Sequence, residues 1–257
     1  MPGIMDLSVV IPAFNAQAFI AERLRALDQY LDGTGFEYEI LVVDDGSEDD
    51  TARVLESLAS PRIRPVLGES HRGKFGAIRK GLEAARGRVI AFTDADVPYE
   101  LPAIRYMAKL VQGGAFHLVV GDRTLPGSTY AERLSPLRRL ATRVYSWLIR
   151  VLVTGGLHDT QCGLKALRGD VAKALVPILR ENGFPGDVEL LYVALKYNLA
   201  IRRVPVRLQW QSRSTVRPWQ HGFGMTASLL RIRRRFRKGM YASPALEEIA
   251  RQDYETP

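Results

Sequence analysis

Along the first 125 residues, short apolar runs alternate with longer stretches in which apolar positions recur every three or four residues. The runs "LSVVIPAF" (7–14), "EILVVDD" (39–45), "RPVL" (64–67), "RVIAFTDAD" (88–96) and "HLVVGDR" (117–123) have the length and Val/Ile content of strands. Between them, "AFIAERLRALDQYL", "DDTARVLESLA", "GAIRKGLEAAR" and "LPAIRYMAKLV" carry the helical period. Strands that are apolar on both faces and separated by helices predict an α/β fold. Its central sheet is mostly parallel, with helices on both faces.

The second half has a different pattern. A helix is expected over 136–156, with Arg138, Arg139, Arg143 and Arg150 on it, followed by "DTQCGLKAL" (159–167). A helix over 187–198, a strand over 200–210 and a basic amphipathic helix over 223–238 come next. The tail "EEIARQDYETP" carries no folding signal. No linker marks a second domain. The expected division is one α/β unit over 1–222 and a basic helix and tail over 223–257, a candidate membrane-surface anchor.

In sheets of this kind ligands bind at the carboxyl ends of strands, and the acidic residues fall there. "VVDD" ends in Asp44 and Asp45, "AFTDAD" in Asp94 and Asp96, and "VVGDR" in Asp122 and Arg123. Two carboxylates at i and i+2, where a strand gives way to a turn, suit Mg²⁺ or Mn²⁺. Such ions take one or two carboxylates and share their other positions with water and substrate phosphates. The competing reading of "TDAD" is a turn or helix cap before "PYELPAI". Asp44 and Asp45 in "DDGS" could cap the next helix or touch a ribose or base, with Gly46 supplying the tight turn; taken alone, the cap is the better reading.

One near-motif is excluded. "GESHRGKF" (68–75) is one residue short of a phosphate-cradling P-loop, whose last position must be Ser or Thr to hold magnesium. Phe75 cannot do so, and the loop reads as a Gly-rich bend with Lys74 facing the cleft.

Charge and cysteine content narrow the classes. The net charge is +8, and residues 200–238 hold eleven Lys or Arg and no Asp or Glu, so this segment seeks an anionic partner. The single cysteine, Cys162, excludes an internal disulfide. The four histidines show no i, i+4 pairing for zinc, and no G-x-S-x-G elbow appears. Neither a leader-like start nor a run of about 20 apolar residues is seen. The expected location is the cytoplasm, peripheral to the inner face of the membrane.

"VVIPAFN", "LVVDDGSEDDT", "RGKFGAIRKG", "AFTDADV", "GDR" and "DTQCGLKAL…DVELL" occur in that order. Together they resemble family two glycosyltransferases of the GT-A fold, over about residues 6–210. The branch they are most similar to moves a sugar from a nucleotide sugar to a polyprenyl phosphate, and "DTQCG-x-K" is similar to dolichyl-phosphate β-glucosyltransferases. The resemblance implies that Pro12, Phe14, Asp44 and Asp45 line the nucleoside pocket, with Lys74 near the nucleotide. It implies that Asp94 and Asp96 hold the metal on the diphosphate. Arg123 and Arg138 would meet the acceptor phosphate, with Gln161 and Lys165 on the acceptor side. Asp187 falls where many relatives carry a catalytic base. Here "PAFNA" replaces the common P-x-Y-N-E, so Phe14 stands for Tyr and Ala16 for Glu.

The implied activity is a metal-dependent, inverting hexosyl transfer from a nucleotide sugar to polyprenyl phosphate. UDP-glucose is the favoured donor and GDP-mannose the second. A lipid phosphate is already an anion and needs arginines rather than a base. A hydroxyl acceptor would need a base such as Asp187. Both acceptors stay open on sequence alone. The reading from another class is a nucleic-acid-binding protein using 200–238; it leaves the strand-end carboxylates idle, and no nucleic-acid partner is expected.

Overall fold

The computed structural model describes residues 5–129, 149, 157, 159–209 and 218–255. The elements are β1 (Met5–Ala13), α1 (Ile20–Asp32), β2 (Tyr38–Asp44), α2 (Thr51–Ser57), β3 (Ile63–Leu67), α3 (Lys74–Ala84), β4 (Gly87–Phe92), α4 (Leu101–Gln112) and β5 (Leu118–Asp122). After these come β6 (Lys165–Arg168), α5 (Gly169–Leu175), α6 (Pro185–Lys196), β7 (Ile201–Pro205), α7 (Pro218–Arg237) and α8 (Pro244–Glu255).

The seven strands form one sheet in the order β3-β2-β1-β4-β6-β5-β7. All pairs are parallel except those of β6, which runs antiparallel between β4 and β5. The strands are apolar on both faces because both faces are covered. All seven residues of β2 are buried. Val10, Leu41 and Val43 point into one core with α3, α5, α6, α7 and α8. Val9, Ile11, Ile40 and Val42 point into a second core with α1, α2 and α4. The predicted α/β class and mostly parallel sheet are therefore observed.

Register aligns the functional edge. Ala13 pairs with Asp44, and the Thr93 N–H donates to the Val10 carbonyl, so β1, β2 and β4 end side by side. Strand order reverses between β1 and β4, which is where an open α/β sheet opens a crevice. Because β6 is antiparallel, its first residue, Lys165, lies beside Phe92 and Val120 at that same edge.

Three expectations from the second half change. "KALR" forms the strand β6, which four residues, two of them charged and without alternation, do not announce. The tail folds, with most of it in α8. Residues 223–257 are not a separate unit, since Leu229, Ile232, Tyr241, Leu246 and Ile249 share one core with Val10 and Phe92. The expected helix over 136–156 lies outside the described residues, apart from Ile149, which is helical and buried.

Candidate active site

At the ends of β1 and β2, carboxylates organise backbone. Asp44 accepts from the N–H and hydroxyl of Ser47, closing the turn that follows the strand. Asp45, 5% exposed, accepts from the N–H groups of Arg72 and Gly73 at 2.9 and 2.8 Å. His71 Nδ1 lies 2.9 Å from the same carboxylate. Asp45 thus pins the whole "HRGK" bend. Gly46 makes this approach possible: its φ is +73°, and a Cβ there would sit 2.7–2.9 Å from the backbone of Ser70 and His71. Asn15 ties the β1 loop to the β2 loop, its Oδ1 accepting from Glu48 N at 2.9 Å and its N–H donating to Ser47 Oγ at 2.9 Å. Pro12 is buried at the end of β1. Phe14, 40% exposed, sets its ring against His71, with centroids 4.2 Å apart.

The "TDAD" segment follows β4 as a turn. Val97 has φ +44°, a conformation that a β-branched residue adopts only under constraint, and its N–H donates to the Asp94 carbonyl at 2.9 Å. Asp94 Oδ1 takes the Lys74 ammonium at 2.5 Å. Burial alone would raise the Asp94 pKa, but Lys74, with Lys165 and Arg123 beyond it, holds it below the usual carboxylate range. Burial likewise would lower Lys74, and the charges of Asp94 and Asp187 outweigh it, so the ammonium is held above its ordinary value. The Asp94 carboxylate rests on Gly163, where a Cβ would come within 2.0 Å of Oδ2.

These residues fit a hard divalent cation. The donor set is carboxylate oxygen, Asp94 and Asp96 are both partly exposed, and Gly163 leaves space for the Asp94 carboxylate. Among the described residues no group of three or more His, Cys, Asp or Glu side chains forms a closed metal site. Two carboxylates with waters and phosphate oxygens are what Mg²⁺ or Mn²⁺ requires.

On the other side of Lys74, carboxylates pair with cations. Arg123 grips Asp159 through Nε and Nη2 at 2.7 and 2.8 Å and also donates its backbone N–H. Burial would raise the Asp159 carboxyl, but the Arg123 guanidinium outweighs it and holds it low. Lys165 and Asp187 form an ion pair at 2.6 Å, with side chains 0% and 2% exposed. The Lys165 ammonium also donates to the Cys162 carbonyl at 2.6 Å and lies 5.5 Å from the Phe92 ring centre.

This packing bears on two of the expected site residues. Lys165 offers no surface to an acceptor, because its ammonium is consumed inside the fold. The Asp187 carboxylate, expected as a base, is buried against the Lys165 ammonium. Gln161 is partly exposed, with its amide donating to the Phe184 carbonyl at 3.3 Å. Arg138 lies outside the described residues.

Sequence reasoning passed over four residues that the fold brings to this edge. His71 shows no metal-type pairing, and its role appears only when β2 brings Asp45 beside it. Asp159 and Gly163 sit inside the quoted "DTQCG", as partner of Arg123 and floor of Asp94. Tyr99 brings its hydroxyl to 3.3 Å from the Gly163 N–H and 3.4 Å from Cys162 Sγ. Burial pushes the Cys162 thiol up, so it behaves as a small apolar side chain.

The basic helix is also tied into the fold. Leu229 and Ile232 are 0% exposed, so that part of the apolar side expected to enter a membrane lies in the protein core. Arg231 and Arg235 pair with Glu181 at 3.5 and 2.8 Å, and Arg235 with Glu189 at 3.4 Å. Leu230, Arg234, Arg237, Lys238 and Met240 remain exposed. Among the described residues no helix is long and apolar enough to cross a membrane.

Comparison with known proteins gives consistent matches. The model of "Glycosyl transferase family 2" matches residues 8–175. The dolichyl-phosphate beta-glucosyltransferase of Dictyostelium discoideum is 30% identical over 91% of this chain and 76% of its own length. The human enzyme of the same name is 30% identical over 94% of this chain and 80% of its own. An undecaprenyl-phosphate 4-deoxy-4-formamido-L-arabinose transferase of Klebsiella pneumoniae is 33% identical over 68% of this chain and 52% of its own. Among solved structures, glucosyl-3-phosphoglycerate synthase of Mycobacterium tuberculosis with UDP superposes with a TM-score of 0.67 at 22% identity, over 89% of this chain and 80% of that one. The same synthase with Mn²⁺, UDP-glucose and phosphoglyceric acid gives 0.65 at 21% identity, over 89% and 79%.

Proposed function

We propose, from the premise that the chain belongs to glycosyl transferase family 2, that it moves glucose from UDP-glucose to a polyprenyl phosphate with inversion and with a divalent cation. It is a nucleotide-sugar-dependent glycosyltransferase with a GT-A fold. The names of its dolichyl-phosphate and undecaprenyl-phosphate relatives support the lipid acceptor, and glucose is the sugar named for the former. GDP-mannose is the second donor to try.

One observation carries the choice of acceptor. Asp187, at the position of a relative's base, is 1% exposed and held by Lys165 at 2.6 Å. A general base must reach the proton it removes. A phosphate monoester needs none: its anionic oxygen forms the bond to the sugar carbon from the face opposite the leaving group. The bond from that carbon to the nucleoside diphosphate breaks, and the electron pair leaves with the diphosphate. Phe14, Pro12 and the loops held by Asp44 and Asp45 would receive the nucleoside. Lys74, at the start of α3, would face the diphosphate. Asp94 and Asp96 would hold the cation, which when bound neutralises charge on the departing diphosphate. Arg123 would meet the acceptor phosphate, fixed in place by Asp159, with Arg138 and Gln161 on the same side.

Such an acceptor would bring the enzyme to a membrane surface, and the cytoplasmic face is the one proposed. Exposed Arg234, Arg237 and Lys238, rather than the buried Leu229 and Ile232, would meet anionic headgroups. The test is incubation of purified protein with labelled UDP-glucose, a polyprenyl phosphate and Mg²⁺ or Mn²⁺. Label should pass into the organic phase and stop doing so with EDTA. Label transferred only to a hydroxyl acceptor would overturn the proposal.

A further inference from the structure

Residues 179–184 form a strap between α3 and the C-terminal helices, two parts of the molecule with separate roles so far. At one end the strap lies on α3. The Asn182 carbonyl accepts from the Gly76 N–H at 2.9 Å. Arg79 reaches back from α3 to the Leu179 carbonyl at 2.8 Å and to Asn182 Oδ1 at 2.9 Å. The first turn of α3, which carries Lys74, is thus docked on the strap. Phe184 sets its ring 5.9 Å from the Lys74 ammonium, and its carbonyl accepts from Gln161. At the other end stands Glu189 of α6, fully buried. Its Oε2 accepts from the N–H groups of Arg180 and Glu181 at 2.8 and 2.7 Å. Its Oε1 accepts from the Tyr241 hydroxyl and, at 3.4 Å, from the Arg235 guanidinium. Arg235 also holds Glu181 at 2.8 Å.

Stability alone does not call for this carboxylate, since matched apolar side chains often serve a buried site as well as an ion pair does. What Glu189 does that an apolar residue cannot is order two backbone N–H groups of the strap and tie them to α7 and to the turn before α8. We propose that Glu189 is a positioning residue for transfer, which through the strap sets Lys74 in the cleft and makes α7 and α8 part of the catalytic unit. This rests on the reading that Lys74 faces the diphosphate of the donor. Uridine has no phosphate for Lys74 to meet, so its affinity reports on the nucleoside loops alone.

The test is a mutant cycle read by the binding of UDP and of uridine, in Mn²⁺, to the full chain as wild type, Lys74→Met, Glu189→Gln and the double variant. In Glu189→Gln one accepting oxygen becomes an amide donor, so a contact is lost at constant size. This variant should bind UDP about fivefold or more weakly. Its uridine affinity should be unchanged, which also shows that it is folded. In the Lys74→Met background the same change should cost nothing further, because Glu189 acts through Lys74. Arg79→Met, at a half-buried position on α3, cuts the strap at its other end and should behave the same way. It carries the test if Glu189→Gln does not fold. Losses that add in the double variant, equal loss of UDP and uridine, or unchanged UDP affinity overturn the positioning role and leave the donor site standing. UDP affinity kept by Lys74→Met overturns the diphosphate reading of Lys74 itself.

Discussion

The carboxylates at the carboxyl edge of the sheet divide on either side of Lys74. On the β1–β2 side, Asp44 and Asp45 accept from backbone N–H groups and turn loops into a shaped surface. On the β5–β6 side, Asp159 and Asp187 accept from side-chain cations and hold charge in place. Asp94 stands between, with Lys74 on one oxygen and Gly163 beneath the other. The difference lies in what a substitution leaves behind. Removing a backbone-binding carboxylate frees a loop. Removing one member of a buried ion pair leaves an uncompensated charge.

The largest effect expected from this contrast is on stability. Lys165→Met leaves Asp187 charged in the core, and breaking such a pair costs about 3–5 kcal/mol. Urea denaturation should show that loss. A variant as stable as wild type would mean that the pair is not buried as described. Next comes Asp96→Asn, which should keep the fold and lower transfer roughly 100-fold or more, since neutralising the leaving group is worth several kcal/mol. Full transfer by this variant, or in EDTA, would remove the metal from the account.

A smaller effect is expected from Gly46→Ala, where the positive φ and the 2.7 Å approach to Ser70 force the two loops apart. The strain is of order 1–3 kcal/mol, so UDP affinity should fall about fivefold or more while the acceptor side is unaffected. Unchanged UDP affinity would detach the "HRGK" bend from the donor site.

The smallest effect is with pH. The Asp159 and Glu39 carboxyls are held below their ordinary values, Asp159 by Arg123 against burial and Glu39 by Arg86 and Ser8 against burial. A depressed native pKa gives stability that is complete above the unfolded values, about 3.9 and 4.3, and is lost as pH falls through the native ones. Denaturation midpoints should therefore drop below about pH 4. The drop should be shallower in Glu39→Gln, with an unchanged slope counting against this assignment.

Much of the first half was legible because one cause produced both signals. Strands covered on two faces must be apolar throughout, so β1, β2 and β4 stand out as runs, and the acidic residues that end them mark the crevice. The antiparallel β6 was not legible, since four residues closing a gap between two strands carry no period. Nor was the fate of α7: a helix with Leu229 and Ile232 beside arginines reads alike whether its apolar side meets lipid or core. The buried Glu181 and Glu189 that receive those arginines lie 46 to 54 residues earlier in the chain. His71 and Lys165 failed for a related reason. Their meaning depends on a partner carboxylate supplied by another element, and a single sequence does not show which carboxylate that is.

The claim that bears most on function is that Asp187 holds charge and takes no proton. Replacing the pair together, as Lys165→Met with Asp187→Leu, removes both charges at once, and matched apolar replacements of buried pairs are often neutral or stabilising. The measurement is the rate of glucosyl transfer from UDP-glucose to polyprenyl phosphate by this double variant, with its denaturation midpoint taken alongside. The account predicts a midpoint well above that of Lys165→Met and a rate within about tenfold of wild type. A stable double variant slowed by the roughly 10²–10⁴-fold that a general base contributes would contradict it.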